Sequence, residues 1–184
     1  MSRRAIGISG SPSSNSRSRI VTASVLMQLG GFGIATEIID LLELPAEALL
    51  ARSTNAWIDR VIQQVVAADI VLLGTPIYRA SYAGQLKAFL DLLPQDALRG
   101  TVVGLIASGA GGGHLLALDH GLRPLVASMG GLSAASGIYV TDAQFPDKSM
   151  LPENVHLQTV QLAKELHLIS KDYRLSVHTE GARI

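Results

Sequence analysis

A chain of 184 residues with 48% hydrophobic and 16% charged side chains has the length of one domain and material for one large core. Fifteen basic and fifteen acidic residues cancel, which removes the electrostatic footprint expected of a nucleic-acid or anionic-membrane binder. With no cysteine, disulfides, thiol chemistry and thiolate metal sites are excluded together.

The chain opens with Arg3 and Arg4, but Gly7, Ser9, Gly10 and Pro12 interrupt the apolar stretch that follows. No secretory leader is therefore expected, and the expected location is cytoplasmic. Residues 4–9 read as a short buried strand closing on the turn Gly10-Ser11-Pro12. A helix over 16–29 follows, with Ile20, Ala23, Val25, Leu26 and Leu29 near helical spacing and Gly30-Gly31 to stop it. Residues 35–41 form a second strand, and 57–68 a helix with Ile58, Val61, Ile62, Val65 and Val66 on one face. Residues 69–74 are the clearest strand, a continuous apolar run of the kind a central parallel strand needs. Asp69 and Pro76 keep the run from Val65 to Ile77 from reading as a membrane span. A helix over 82–93 ends at Pro94, and 101–107 is the fourth strand. Residues 114–129 form the fourth helix, 132–140 a weaker fifth strand and 154–171 the last helix. One domain over 1–171 is expected, with a polar tail at 172–184 that is either mobile or held by a partner.

Five strand-then-helix units predict an α/β fold, an open, doubly wound, five-stranded parallel sheet with helices on both faces. Of the two common orders, 2-1-3-4-5 and 3-2-1-4-5-6, five strands favour the first. Ligands of such sheets bind outside the carboxyl ends of the strands, which points to the loops after strands one, three and four.

The first of these loops, Ser9 to Ser18, is dense in hydroxyls and enters a helix, a place where free N–H groups and the helix dipole suit a phosphate. Arg17 and Arg19 oppose that dipole and make sense beside an anion; the plainer alternative is a serine-rich cap with two solvated arginines. The Gly-Lys-Ser/Thr ending of a P-loop and the glycines of the dinucleotide fingerprint are missing. A hydrolase elbow fails because Ser11 stands where its second Gly belongs. The second loop, Thr75 to Gly84, brings Tyr78, Arg79 and Tyr82 to the sheet edge, to meet a flat ligand or to pack on a neighbouring helix or subunit. The third, Ala107 to His114, has four glycines in five positions, which let backbone approach a flat ligand or merely make a flexible connector.

Gly10-Ser-Pro, Asn15-Ser16-Arg17-Ser18, Thr75-Pro-Ile-Tyr78, Gly84-x-x-Lys87-x-x-x-Asp91 and Ser108-Gly-x-Gly-Gly-Gly-His114 together resemble the NAD(P)H-dependent FMN reductases. Leu90-Asp-Leu-Leu-Pro94 and His114-Leu-Leu-Ala-Leu-Asp119 followed by Leu122-x-Pro124 resemble the branch that serves two-component alkanesulfonate and methanesulfonate monooxygenases. The likeness covers roughly the first 145 residues and implies a flavodoxin-like fold. It also implies FMN phosphate binding by Ser11, Ser16 and Ser18 with Arg17 nearby, and flavin-ring contacts from Pro76, Ile77, Tyr78, Ser108, Gly109 and Gly111. Ser13 follows Pro12 where many relatives have Arg, so one phosphate cation is missing, and His120 stands where alkanesulfonate-type relatives often carry Tyr.

The activity implied is hydride transfer from the nicotinamide of NAD(P)H to FMN, in which the cofactor does the chemistry and no side chain need act as acid or base. Reduced flavin would then supply a flavin-dependent monooxygenase in sulfonate metabolism. The rivals are a quinone or azo reductase with tightly bound FMN, and a flavodoxin-like electron carrier. No metal site is expected, since His114, His120, His156, His167 and His178 form no metalloprotease-type pair. The apolar content of residues 82–93 and 115–126 exceeds what one sheet face needs, so a homodimer or, from the resemblance, a homotetramer is expected. Pro124 lacks the N–H that would bond the carbonyl of His120, so the fourth helix should kink or widen near His120. The resemblance implies a π-bulge at a subunit interface beside the flavin, hence an irregular helix over 117–124 with His120 at or near a neighbouring subunit; the plainer alternative is a proline kink in a surface helix with His120 solvated.

Overall fold

A computed structural model describes residues 2–145, 147, 150–171 and 173. Of the expected tail, all but Tyr173 lies outside the described residues. Among the described residues six strands run in chain order as β1 (Arg4–Ser9), β2 (Ala35–Asp40), β3 (Ile70–Tyr78), β4 (Ser81–Tyr82), β5 (Val102–Gly109) and β6 (Leu132–Thr141). The helices are α1 (Arg17–Gly31), α2 (Ala46–Leu49), α3 (Ala56–Val66), α4 (Gly84–Leu90), α5 (Arg123–Ser128) and α6 (Glu153–Ile169).

The long strands pair in the order β2-β1-β3-β5-β6, all parallel. Counting only these five, the order is the expected flavodoxin-like 2-1-3-4-5. Alternation along the buried strands divides the core in two. Ile6 and Ile8, Val71 and Leu73, and Val103 and Leu105 join one cluster with α3, α4 and α5. Ala5, Ile70, Leu72, Val102 and Ile106 join the other with α1 and α6, on which Tyr173 also packs. Both faces of the sheet are covered, as a central strand of unbroken apolar residues requires.

β3 and the helix after it differ from the sequence reading, α2 is absent from it, and the fourth helix is irregular where irregularity was expected. β3 runs through Pro76 to Tyr78. Its partner β1 ends opposite Gly74, so the missing N–H of Pro76 falls where that ladder has stopped. The helix expected from 82 starts at Gly84, because Tyr82 turns back as β4 against Ile77 and the Ala83 N–H donates to Thr75 Oγ1 at 3.0 Å. The expected helix over 114–129 is broken into a 3₁₀ turn at Gly112–His114, a π-helical segment at Leu118–Leu122 and α5. The Arg123 N–H reaches back five residues to the Leu118 carbonyl, the widening that Pro124 demands. Among the described residues no helix is long and apolar enough to cross a membrane.

Candidate functional site

Parallel pairing aligns the carboxyl ends of the strands. Ser9 lies opposite Gly74, Pro76 opposite Ser108, and Gly109 opposite Thr141. The three predicted loops therefore leave one edge of the sheet. Gly10 begins the first loop by donating its N–H to the Gly74 carbonyl at 2.7 Å, and a Cβ there would lie 2.7 Å from Cβ of Leu86. Only glycine fits that close approach.

Beyond it the chain folds into a cluster of hydroxyls. Ser11 is buried and its Oγ accepts the Ser13 N–H at 3.1 Å, while residues 12–15 are exposed. Ser16 caps α1, accepting the Arg19 N–H at 3.4 Å, and its Oγ lies 2.9 Å from Ser18 Oγ. No acidic residue stands in the first turn of α1 to neutralise its N–H groups. Among the described residues two buried side-chain polar atoms have no protein partner, Ser9 Oγ at the end of β1 and Nε of Arg17. Such orphans cost free energy unless an outside group satisfies them, and a phosphate is an acceptor of the right kind. The donor set fits the phosphate of FMN.

Arg17 and Arg19 do not share one task. Arg19 Nε donates to Asp40 Oδ2 at 2.9 Å, at the end of β2. Arg17 reaches the other way and pairs through Nη1 with Asp142 Oδ1 at 2.8 Å, in the 3₁₀ turn Asp142–Gln144 that follows β6.

The second loop is a two-residue hairpin between paired Tyr78 and Ser81, with Arg79 (φ 52°) and Ala80 (φ 63°) both left-handed. Pro76 and Ile77 are buried, and the Ile77 side chain belongs to the core, so at the edge it offers backbone; the Tyr78 side chain is exposed. In the third loop Ser108 is buried, Gly109 half-buried and Gly111 exposed. Tyr139 of β6, which the motifs did not single out, fastens this loop by donating its hydroxyl to the Gly111 carbonyl at 2.6 Å. Burial, and then the nearby Asp142 carboxylate, hold the Tyr139 phenol above its ordinary pKa, so it stays a donor.

A depression of about 300 Å³ lies between this hairpin and the π-helical segment, lined by residues that include Ala80, Ser81, His114, Leu116 and His120. None of the ten residues predicted to bind FMN lines it. Among the described residues no group of three His, Asp or Glu side chains is placed to hold a metal ion.

The family model for NADPH-dependent FMN reductase matches residues 3–146. The chain belongs to this family. It is 36% identical over 140 residues to an FMN reductase (NADPH) of Pseudomonas putida KT2440, covering 76% of this chain and 71% of the relative. It is 34% identical over 166 residues to the NADH-dependent FMN reductase SfnF of Pseudomonas fluorescens Pf0-1, covering 88% of each. The apo crystal structure of an NADH:FMN oxidoreductase (EMOB) superposes with a TM-score of 0.80 at 34% identity, over 96% of this chain and 90% of that one. The reductase is thus an oxidoreductase of FMN and reduced nicotinamide nucleotide, on a flavodoxin-like fold.

Proposed function

We propose that FMN binds across the carboxyl edge and leaves reduced, to supply a flavin-dependent monooxygenase of sulfonate metabolism. The observation that carries the binding mode is the hydroxyl cluster at the start of α1 with two buried, partnerless polar atoms beside it. Ser11, Ser16 and Ser18 donate to the phosphate, and Arg17 lies next to it. Backbone at Pro76 and Ile77, the exposed Tyr78 ring, and the open backbone of Ser108, Gly109 and Gly111 face the flavin ring. Bound FMN supplies the hydride acceptor for NAD(P)H. The role of the chain is to bind, orient and keep water away, with Tyr139 holding the glycine loop in place. A cytoplasmic location agrees with the chemistry of its small-molecule partners. The hand-off to a monooxygenase is supported by the motif likeness to the alkanesulfonate branch and by the missing cation at Ser13.

The test is NAD(P)H oxidation with and without added FMN. Turnover should rise with FMN and saturate. Full activity toward quinones or azo dyes with no added flavin, unchanged by supplementing it, would transfer the reading to a reductase with resident FMN. Stable one-electron reduction without NAD(P)H turnover would make it a carrier.

A further inference from the structure

From Ser9 to Arg19, across the first loop and into α1, the only cations are Arg17 and Arg19. Arg19 is committed to Asp40, a carboxylate whose side chain is only 10% exposed. Arg17 is therefore the one cation of this stretch left for a phosphate. Its guanidinium is already shared: Nη1 holds Asp142 Oδ1 at 2.8 Å, while Nε, buried, has no partner. This pair spans the carboxyl edge from the start of α1, which follows β1, to the end of the edge strand β6. The Asp142 side chain is 50% exposed, so water can take it over if the guanidinium turns away. An exposed carboxylate is a weak and replaceable partner for an arginine, whereas a phosphate offers bidentate acceptance and more charge.

From this we propose that Asp142 sets how loosely the FMN phosphate is held, by competing with it for the Arg17 guanidinium. The proposal rests on the reading that this loop takes the phosphate. Asp142 leaves the loop electrically neutral, and its own charge opposes an incoming dianion. A site so tuned suits a flavin that must leave after reduction.

The experiment measures dissociation constants of FMN and riboflavin, which lacks the phosphate, by flavin fluorescence on the full chain. Wild type should prefer FMN, and Ser16→Ala should erode that preference. Asp142→Asn should tighten FMN roughly three- to fivefold and leave riboflavin within about twofold. Asp142→Ser should repeat the result, which guards against an effect peculiar to one side chain. In an Arg17→Met background the gain from Asp142→Asn should shrink. If wild type shows no preference for FMN over riboflavin, the phosphate reading itself fails. If the preference is present but the Asp142 variants leave FMN binding unchanged or weaker, competition by Asp142 is overturned. A gain that persists undiminished without Arg17 would also overturn it, since bare repulsion rather than competition would then be at work.

Discussion

Arg79 and Ala80 both occupy the left-handed region, which L side chains enter at a cost of about 1 kcal/mol or more each. They form the two central positions of a tight hairpin, a turn that ordinarily selects Asn-Gly or Gly-Gly. Ala80→Gly should raise stability by about 1 kcal/mol, read as a thermal midpoint about 2–4 °C higher. A lower midpoint would show that the Ala80 methyl packs usefully in the depression it lines. A second residue-scale prediction concerns His167. Arg3, which has only donors to offer, lies 3.1 Å from its Nδ1 through Nη2, so that nitrogen must be the unprotonated acceptor. Burial, then the charges of Arg3 and Lys171, hold His167 below its ordinary pKa of 6.5. The folded state thus binds this proton less readily than the unfolded chain, and its contribution to stability is present above pH 6.5 and lost as the pH falls through the depressed value. Denaturant midpoints on either side of pH 6.5 should fall toward acid in wild type, and fall less in His167→Asn, which keeps an acceptor without titrating. A serine-rich cap before α1 was legible as an alternative because caps are local chemistry, although Ser16, which makes the cap, was counted into the helix. The pairing of Arg17 with Asp142 was not legible, since no spacing rule links residues on α1 and beyond β6. Nor was the hairpin, whose Arg-Ala centre carries none of the usual turn residues.

At the scale of elements, legibility followed burial and length. β3 and β5 were readable because both faces are covered and their apolar runs are continuous. α2 and β4, of four and two residues, carry no periodicity to read. That the helix is irregular before Pro124 was readable from the proline, and its π-helical form from the family resemblance, but what anchors it was not. Arg123, the residue that follows the segment, donates from Nε to Asp119 Oδ1 at 2.7 Å and from its two terminal nitrogens to the carbonyls of Ala134 and Ala135 at 2.6 and 2.7 Å. Those carbonyls lie where β6 bulges between its pairings with Val103 and Leu105. Glu165 of α6 holds the other side of the bulge, accepting the Ala135 N–H at 2.6 Å and the Ser136 N–H at 3.2 Å. The bulge both blunts the edge strand and ties the π-helical segment to the sheet. Arg123→Lys keeps the charge but loses the planar fork, and should cost about 1–3 kcal/mol in denaturant unfolding. An unchanged midpoint would mean that water replaces the guanidinium at both carbonyls without loss.

At the scale of the whole molecule, the question is what covers the apolar side chains beside the site. Leu115 and Leu116 are 52% and 59% exposed, on the chain between the glycine loop and the π-helical segment, and Tyr78 is 52% exposed on the hairpin. Leu116 and His120 line the same depression as Ala80 and Ser81, so the depression joins the hairpin to the π-helical segment beside these exposed side chains. Exposed apolar side chains grouped in this way are a common mark of contact with another molecule, and symmetric association of like chains is the commonest way to cover them. A homodimer or homotetramer that closes over this surface would put His120 at the contact and make flavin exit depend on assembly. Sedimentation of wild type should therefore give a dimer or larger species at micromolar concentration, and a monomer alone would refute it. Leu115→Glu with Leu116→Glu should dissociate the assembly while the fold, judged by thermal unfolding, persists. Deleting His120 removes the extra residue from the widened turn and should restore ordinary helical spacing up to Pro124. If one segment serves both, that deletion should weaken the assembly and change FMN affinity together. If it altered neither, the π-helical segment would be a consequence of Pro124 alone, and the covering of Leu115 and Leu116 would have to come from another part of the chain's surface.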